Sequence, residues 1–238
     1  MITFEHVEVM GWESVIRGIR NPMNSWSESD SYLPSINEIL DASVIFDENI
    51  RSKIANTINR NEYYQVGDCD LDLMKRLRNA GTDQRNFMRM VTVYVDITAP
   101  LYWWYEIAHV INYYNNIDNI CMNEFTLEDF SCEYLIADED ITSYAAEWIT
   151  PKEILKDIII PTLNEARKEY LKTHDTKYWW QMIQLLPSSY NLKRTVMLNY
   201  EVLANIYKSR KNHKLDEWSI GFMNWIESLP YSELITGG

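Results

Sequence analysis

Between Met90 and Ile97 apolar and polar residues alternate without a break. Val91, Val93, Val95 and Ile97 fall on one side, and Thr92, Tyr94 and Asp96 on the other. A period of two is the spacing of a half-buried β-strand. Residues 2–10 alternate more loosely, with Val7 and Val9 on one face, and predict a second strand. Leu192 to Leu198 is compatible with a third. Elsewhere the period lengthens towards 3.6, the spacing of a helix with one buried face. Trp12, Val15, Ile16 and Ile19 predict a short helix after Gly11, and Leu71, Leu73, Met74 and Leu77 predict one over Asp70–Asn79 that stops at Gly81. Thr98-Ala99-Pro100 is expected to open a helix with Pro100 at the first helical position, where its missing N–H costs nothing.

The second half of the chain is read the same way. Thr150-Pro151-Lys152-Glu153 has the form of a capping box. Behind it Ile154, Leu155, Ile158, Ile159, Leu163, Ala166 and Tyr170 recur at helical spacing, and Pro161 inside that pattern predicts a kink. An aromatic helix over Tyr178–Leu186 ends at Pro187. Asn199 suits the cap of a helix running to about Arg210. A last helix after Asp216 carries Trp218, Phe222, Trp225, Ile226 and Leu229 on its core face. Asn21–Ser35, with Pro22, Pro34 and the serines at 25, 27, 29 and 31, reads as a surface loop. Ile36–Ile58 reads as helical without clear period, and the five asparagines of Asn112–Asn123 favour turns.

Composition narrows the class. The chain has 238 residues and only seven glycines and seven prolines, which disfavours turn-rich sandwiches and propellers. No linker or internal repeat divides it, so residues 1–238 are read as one domain. The net charge of −13 argues against generic nucleic-acid binding. Cys69, Cys121 and Cys132 are odd in number and widely spaced, as in a reducing compartment. The first residues lack the basic and apolar regions of a secretory signal. The apolar stretch Ala99–Tyr114 is broken by Glu106, His109 and Asn112, too polar to span a bilayer. A cytoplasmic protein without membrane partners is expected.

Several chemistries lack their motifs. No pair of glycines has the spacing of a dinucleotide turn or a P-loop, and there is no GxSxG, HExxH or CxxC. No metal site is expected. His174-Asp175 is read as a polar helix connection and Asp138-Glu139-Asp140 as a solvated turn. One local feature runs against the global charge: Lys208, Arg210, Lys211, His213 and Lys214 lie within seven residues. Such cations complement the macrodipole at a helix C-terminus. They also suit a phosphate, for which arginine offers a bidentate fork.

Three separated blocks carry a family resemblance. The first is Val7-Glu8-Val9-Met10-Gly11, followed by a helix over Glu13–Arg20 and the loop Arg20–Trp26. The second is Leu71–Gly81 followed by Arg89–Trp104. The third is Leu186-Pro187, then Asn199–Asn205, then Ser209-Arg210, with Glu217-Trp218 beyond. In order and spacing they resemble the flavin-dependent thymidylate synthases (ThyX), in a divergent form of the kind carried by phages and prophages. The resemblance implies an α/β (α+β) subunit: a small, mostly antiparallel sheet packed with long helices. It further implies a homotetramer with shared active sites, FAD as cofactor, and dUMP converted to dTMP with methylenetetrahydrofolate and a reduced nicotinamide.

Carried over position by position, the resemblance places His109, Asn115, Asn199 and Asn205 on the cofactor side and Arg210 at the nucleotide phosphate. The signature RHRxxSxNExSxR is eroded. Its arginines fall on Ala108, Val110 and Ile120, and its serines and glutamate on Tyr113, Asp118 and Asn116. A further phosphate-binding arginine falls on Ile183, and the arginine of the NAR triplet on Glu201. Each charged hydrogen bond lost this way is worth about 1.5–3 kcal/mol. Turnover of dUMP is therefore expected to be weak or absent. The alternative is a non-catalytic binding or interaction protein on the same scaffold. At the residue level other roles stay open: His109 as a packed helix residue, Asn199 as a simple helix cap, and Tyr102–Tyr105 as core rather than a stacking platform.

Overall fold

The alternation of Val91, Val93, Val95, Ile97 and Ala99 is realised as burial: all five side chains are inaccessible or nearly so. They belong to, or flank, the longest uninterrupted pattern of the sheet. In a computed structural model of the protein, residues 2–42, 63–107, 120–122 and 151–237 are described. Four strands, β1 (Thr3–Met10), β2 (Thr92–Pro100), β3 (Ile120–Met122) and β4 (Asn191–Asn199), form one sheet in the order β1-β2-β4-β3. β3 and β4 are antiparallel, with Ile120 opposite Val196 and Met122 opposite Arg194. The main helices are α1 (Trp12–Arg20), α2 (Ile36–Ala42), α3 (Asp68–Asn79), α4 (Ile160–Thr173), α5 (Thr176–Leu185), α6 (Tyr200–Arg210), α7 (Met223–Glu227) and α8 (Glu233–Thr236). The expected fold class, a small sheet with long helices, is what the structure has. The chain divides into two compact units, Met1–Glu5 with Asp96–Val196, and His6–Val95 with Met197–Gly238.

In the first unit, α4 and α5 pair as a helical hairpin. Leu163, Met182 and Tyr190 are its buried centre, ringed by Leu155, Ile159, Tyr170 and Trp179. His174 takes a left-handed conformation at the end of α4, and Asp175 caps α5 by accepting from the Lys177 N–H at 3.0 Å. His174-Asp175 is thus the helix connection read from the sequence. The kink expected at Pro161 takes another form. Ile154–Ile159, directly upstream, is π-helical. Proline lacks an N–H for Asp157 and its ring crowds that carbonyl, and the wider turn accommodates both. A second expectation is corrected at Pro100. It closes β2, and the helix starts at residue 101. The N–H groups of Leu101 and Tyr102 are met by the Tyr190 and Ser188 carbonyls, so proline is not needed to fill the first helical position. Trp103 and Trp104, the middle of the aromatic block, are core.

The second unit begins with a close approach. Gly11 sits at φ +104°, and a Cβ there would lie 2.2 Å from the Met90 carbonyl oxygen. Only glycine fits both conditions. α1 then buries Trp12, Val15, Ile16 and Arg20. Trp12 meets the rings of Tyr200 and Tyr231 edge-on, at centroid distances of 5.3 and 5.0 Å. The Tyr200 hydroxyl donates to the Pro230 carbonyl, and burial pushes its pKa well above the usual phenol value.

Arg20 (4% exposed) donates through Nε to Asp70 (0% exposed) at 2.6 Å. Three serines of the 21–35 loop turn inward to complete the pair. Ser29 and Ser31 hydroxyls each donate to Asp70 at 2.6 Å, and Arg20 reaches the Ser25 carbonyl at 3.2 Å. The loop is on the surface as expected, but Ser25, Ser29 and Ser31 serve this centre. Its Asp30 carboxylate accepts from the Cys69 and Asp70 N–H groups and so caps α3 from a distance. Burial raises the Asp70 pKa, but Ser29, Ser31 and Arg20 outweigh it and hold the carboxyl below its usual value.

Asp70→Asn should leave the buried Arg20 charge with only the exposed Glu28 carboxylate, 3.5 Å away, and cost roughly 3–5 kcal/mol in urea denaturation at neutral pH. With the folded pKa below the unfolded one, the stabilisation is complete above about pH 3.9 and fades as pH falls through the folded value. The acid limb of the wild-type stability curve should therefore be steeper than that of Asp70→Asn.

Candidate functional site

Three of the five candidate residues lie on α6 or at its start. Asn199 is the last residue of β4, in extended conformation, and its Oδ1 accepts from the Val202 N–H at 3.0 Å. That is the N-cap role its residue type predicts. Asn205, half-buried one and a half turns later, accepts through Oδ1 from Arg85 Nη2 at 3.3 Å. Arg210 closes the helix, with its guanidinium 5.5 Å from the centre of the Trp218 ring. A cation over an indole face is attracted by the ring quadrupole. The Arg210 Nε is buried and has no hydrogen-bond partner among the described residues. His109 and Asn115 lie outside the described residues, as do Ala108, Val110, Tyr113, Asn116 and Asp118.

Glu201 sits on the same helix face as Asn205, one turn earlier. In the resemblance it marks only the place of an arginine. In the structure it is 9% exposed and balanced. Arg89 donates to it through both Nε and Nη2, and Arg85 Nε lies 3.4 Å from its Oε1. This pairing draws the Arg89 pKa upward. Both arginines come from the 3₁₀ segment Gln84–Met90 that precedes β2. Arg85 and Arg89 were not singled out as site residues by sequence reasoning. The only signal was their i,i+4 spacing beside Gly81, which is too common to point anywhere.

Nearby, Arg78 donates through Nε to the Leu234 carbonyl at 2.8 Å and through Nη2 to that of Ile235 at 3.2 Å. Burial lowers its pKa, and the charge of Arg85 lowers it further. Two guanidinium groups, Arg85 and Arg89, therefore meet the Glu201 carboxylate, and Arg78 is spent on the two carbonyls. Ile183 is a partly exposed residue of α5 in the first unit. Among the described residues, no group of three or more His, Cys, Asp or Glu side chains could hold a metal ion. No helix of the described residues is long and apolar enough to cross a membrane.

This arrangement of elements is found in known structures. A crystal structure of the flavin-dependent thymidylate synthase ThyX from Helicobacter pylori, complexed with FAD and dUMP, superposes with a TM-score of 0.55. The match covers 99% of this chain and 98% of that one, at 14% identity. A second structure of the same enzyme with FAD and dUMP gives a TM-score of 0.54 at 13% identity, over 99% and 97% of the two chains. The fold is that of ThyX. No protein-family profile and no curated protein sequence matches the chain. The likeness is thus one of backbone path over the full length, with most side chains changed, and the Glu201–Arg89 pair is among the side-chain features of this chain.

Asn199→Ala should remove the α6 cap and cost about 1 kcal/mol in thermal unfolding, while Asn199→Ser should retain most of it.

Proposed function

We propose that the chain is a divergent ThyX-like protein of nucleotide metabolism that binds FAD and dUMP and turns dUMP over weakly or not at all. The observation that carries this reading is the end-to-end match to structures that hold both ligands. The residues of α6 fit an anionic ligand: Arg210 is a fixed cation whose buried Nε still has a hydrogen bond to give. FAD, when bound, would supply the redox chemistry. On this reading His109, Asn115, Asn199 and Asn205 line its site and Arg210 holds the nucleotide phosphate. The weakness follows from the absent cations at Ala108, Val110, Ile120 and Ile183. A phage-borne, cytoplasmic origin is part of the same proposal.

A second reading is favoured by one observation. The Oδ1 atoms of Asn199 and Asn205 and the carboxylate of Glu201 are all engaged within the protein. Such a site would suit a non-catalytic binding protein on the ThyX scaffold.

The deciding experiment is the flavin and nucleotide content of purified protein, followed by calorimetric titration with dUMP and FAD. Arg210→Ala should weaken dUMP binding by about tenfold to a hundredfold, the loss of one charge-assisted contact. Lys211→Ala, one exposed residue further on, should leave it unchanged. Equal behaviour of the two variants, or a colourless protein that binds neither ligand, removes the first reading in favour of the second.

The assembly proposed is a homotetramer. Ile154, Ile158, Leu171, Trp180 and Ile183 expose apolar surface on or beside the α4–α5 hairpin of the first unit, the kind of surface that a partner copy would cover. Light scattering at micromolar concentration should give about four times the 28.3 kDa subunit mass. A monomer would sink this part.

A further inference from the structure

We infer that His213 is a positioning residue for Arg210, acting through Leu215 and Trp218; its part in ligand binding rests on the reading of Arg210 as the cation at the nucleotide phosphate. α6 ends at Arg210, and residues 211–216 connect it to a π-helical stretch, Glu217–Phe222. An arginine side chain gives up much rotamer freedom when it is fixed, so a fixed guanidinium needs a partner. Here the partner is the indole of Trp218, whose ring centre lies 5.5 Å from the guanidinium carbon. The Arg210 Nε makes no hydrogen bond among the described residues. Where the guanidinium sits is therefore set by where the indole sits.

Trp218 is itself buried. Its ring packs on Phe222 at a centroid distance of 5.2 Å, and Phe222 packs on Trp225 at 5.1 Å. Its backbone is tied at Leu215. The Leu215 carbonyl accepts from the Trp218 N–H at 3.0 Å, from the Ser219 N–H at 3.1 Å and from the Ser219 hydroxyl at 3.2 Å. The Leu215 N–H in turn donates to His213 Nδ1 at 3.2 Å.

His213 closes the circuit in two further ways. Its backbone N–H donates to the Arg210 carbonyl at 2.9 Å. Its ring meets the Trp218 ring edge-on at 6.3 Å. One residue thus holds the end of α6 through its backbone and the start of the next helix through its ring. A connection of this kind can follow several paths, and a side-chain acceptor for one of its N–H groups selects among them. Lys208, Lys211 and Lys214 bring charge to the cluster. His213, accepting at Nδ1, brings geometry.

The test uses the full-length protein and two readouts. The first needs no ligand: the NMR signal of the Arg210 Nε–H group, identified as the one missing from Arg210→Ala. A guanidinium over an indole is displaced by the ring current from the position of a free arginine. His213→Ala should return the signal towards that free position. His213→Asn should keep it near the wild-type position, because an asparagine oxygen accepts from the N–H two residues on. His213→Gln carries its oxygen further out and should behave like His213→Ala. The second readout is calorimetric titration with dUMP. His213→Ala should weaken binding by about threefold to tenfold, less than Arg210→Ala does, and should add nothing further in an Arg210→Ala background, as expected of a residue that acts through another. His213→Asn should restore the affinity. Lys214→Ala, which removes an exposed charge from the same connection, should change neither readout. Should His213→Ala fail to fold, the contrast between His213→Asn and His213→Gln decides. An Arg210 signal that ignores His213→Ala, equal behaviour of the Asn and Gln variants, or additive losses with Arg210→Ala would overturn this role. A wild type that binds no dUMP removes the functional reading alone, and the Nε–H signal still decides whether His213 positions Arg210.

Discussion

A carboxylate with no exposed surface, opposite a guanidinium that is also buried, is the constraint on which the second unit is built. Desolvating both charges is costly, and the pair is tolerable only if the remaining lone pairs and N–H groups are met. At Asp70 they are met by Ser29 and Ser31, and at Arg20 by the Ser25 carbonyl. Those partners fix the path of the 21–35 loop, because each must arrive at hydrogen-bond distance. The loop in turn places Asp30 over the first N–H groups of α3. The end of α1, the serine loop and the start of α3 are therefore one polar unit, not three elements in contact.

The same logic, with less burial, governs α6. Its first turn carries Glu201, and its identity makes sense only together with Arg89 and Arg85 from the segment before β2. An acidic residue near a helix N-terminus is also favoured by the macrodipole. Two independent effects thus hold a negative charge at a position where the resemblance to ThyX calls for a positive one. The backbone that carries these groups is retained over the full length of the ThyX structures. A shared backbone does not by itself carry a shared site, because function lives in side chains grafted on a scaffold.

Local pattern made much of the fold legible. The alternation of β2 survives as burial, and Asn199 announced the start of α6 through its residue type alone. What stayed hidden was long-range. Arg20 and Asp70 are 50 residues apart, and Arg89 and Glu201 are 112 apart. No period links such positions, so an arginine on an otherwise apolar helix face gives no hint of its partner. Pro161 shows a different gap: its conflict with the helix was readable, but the answer, a π-helical turn over a kink, depends on how the neighbouring turns pack. The order of the three blocks did carry the fold class, because spacing between elements outlasts the side chains within them.

The Glu201–Arg89 pair also constrains how this chain can change. Positions that share one charge balance are not independent, and their substitutions do not add. Placing arginine at position 201 in one step would set a third guanidinium against Arg85 and Arg89 in place of the carboxylate that pairs with both. Changing Arg89 first would leave Glu201, almost buried, with only the longer contact to Arg85. Each single step passes through a worse arrangement than either end. The pair thus ties the two positions together: a basic residue at the head of α6 avoids a stranded charge only if position 89 changes with it.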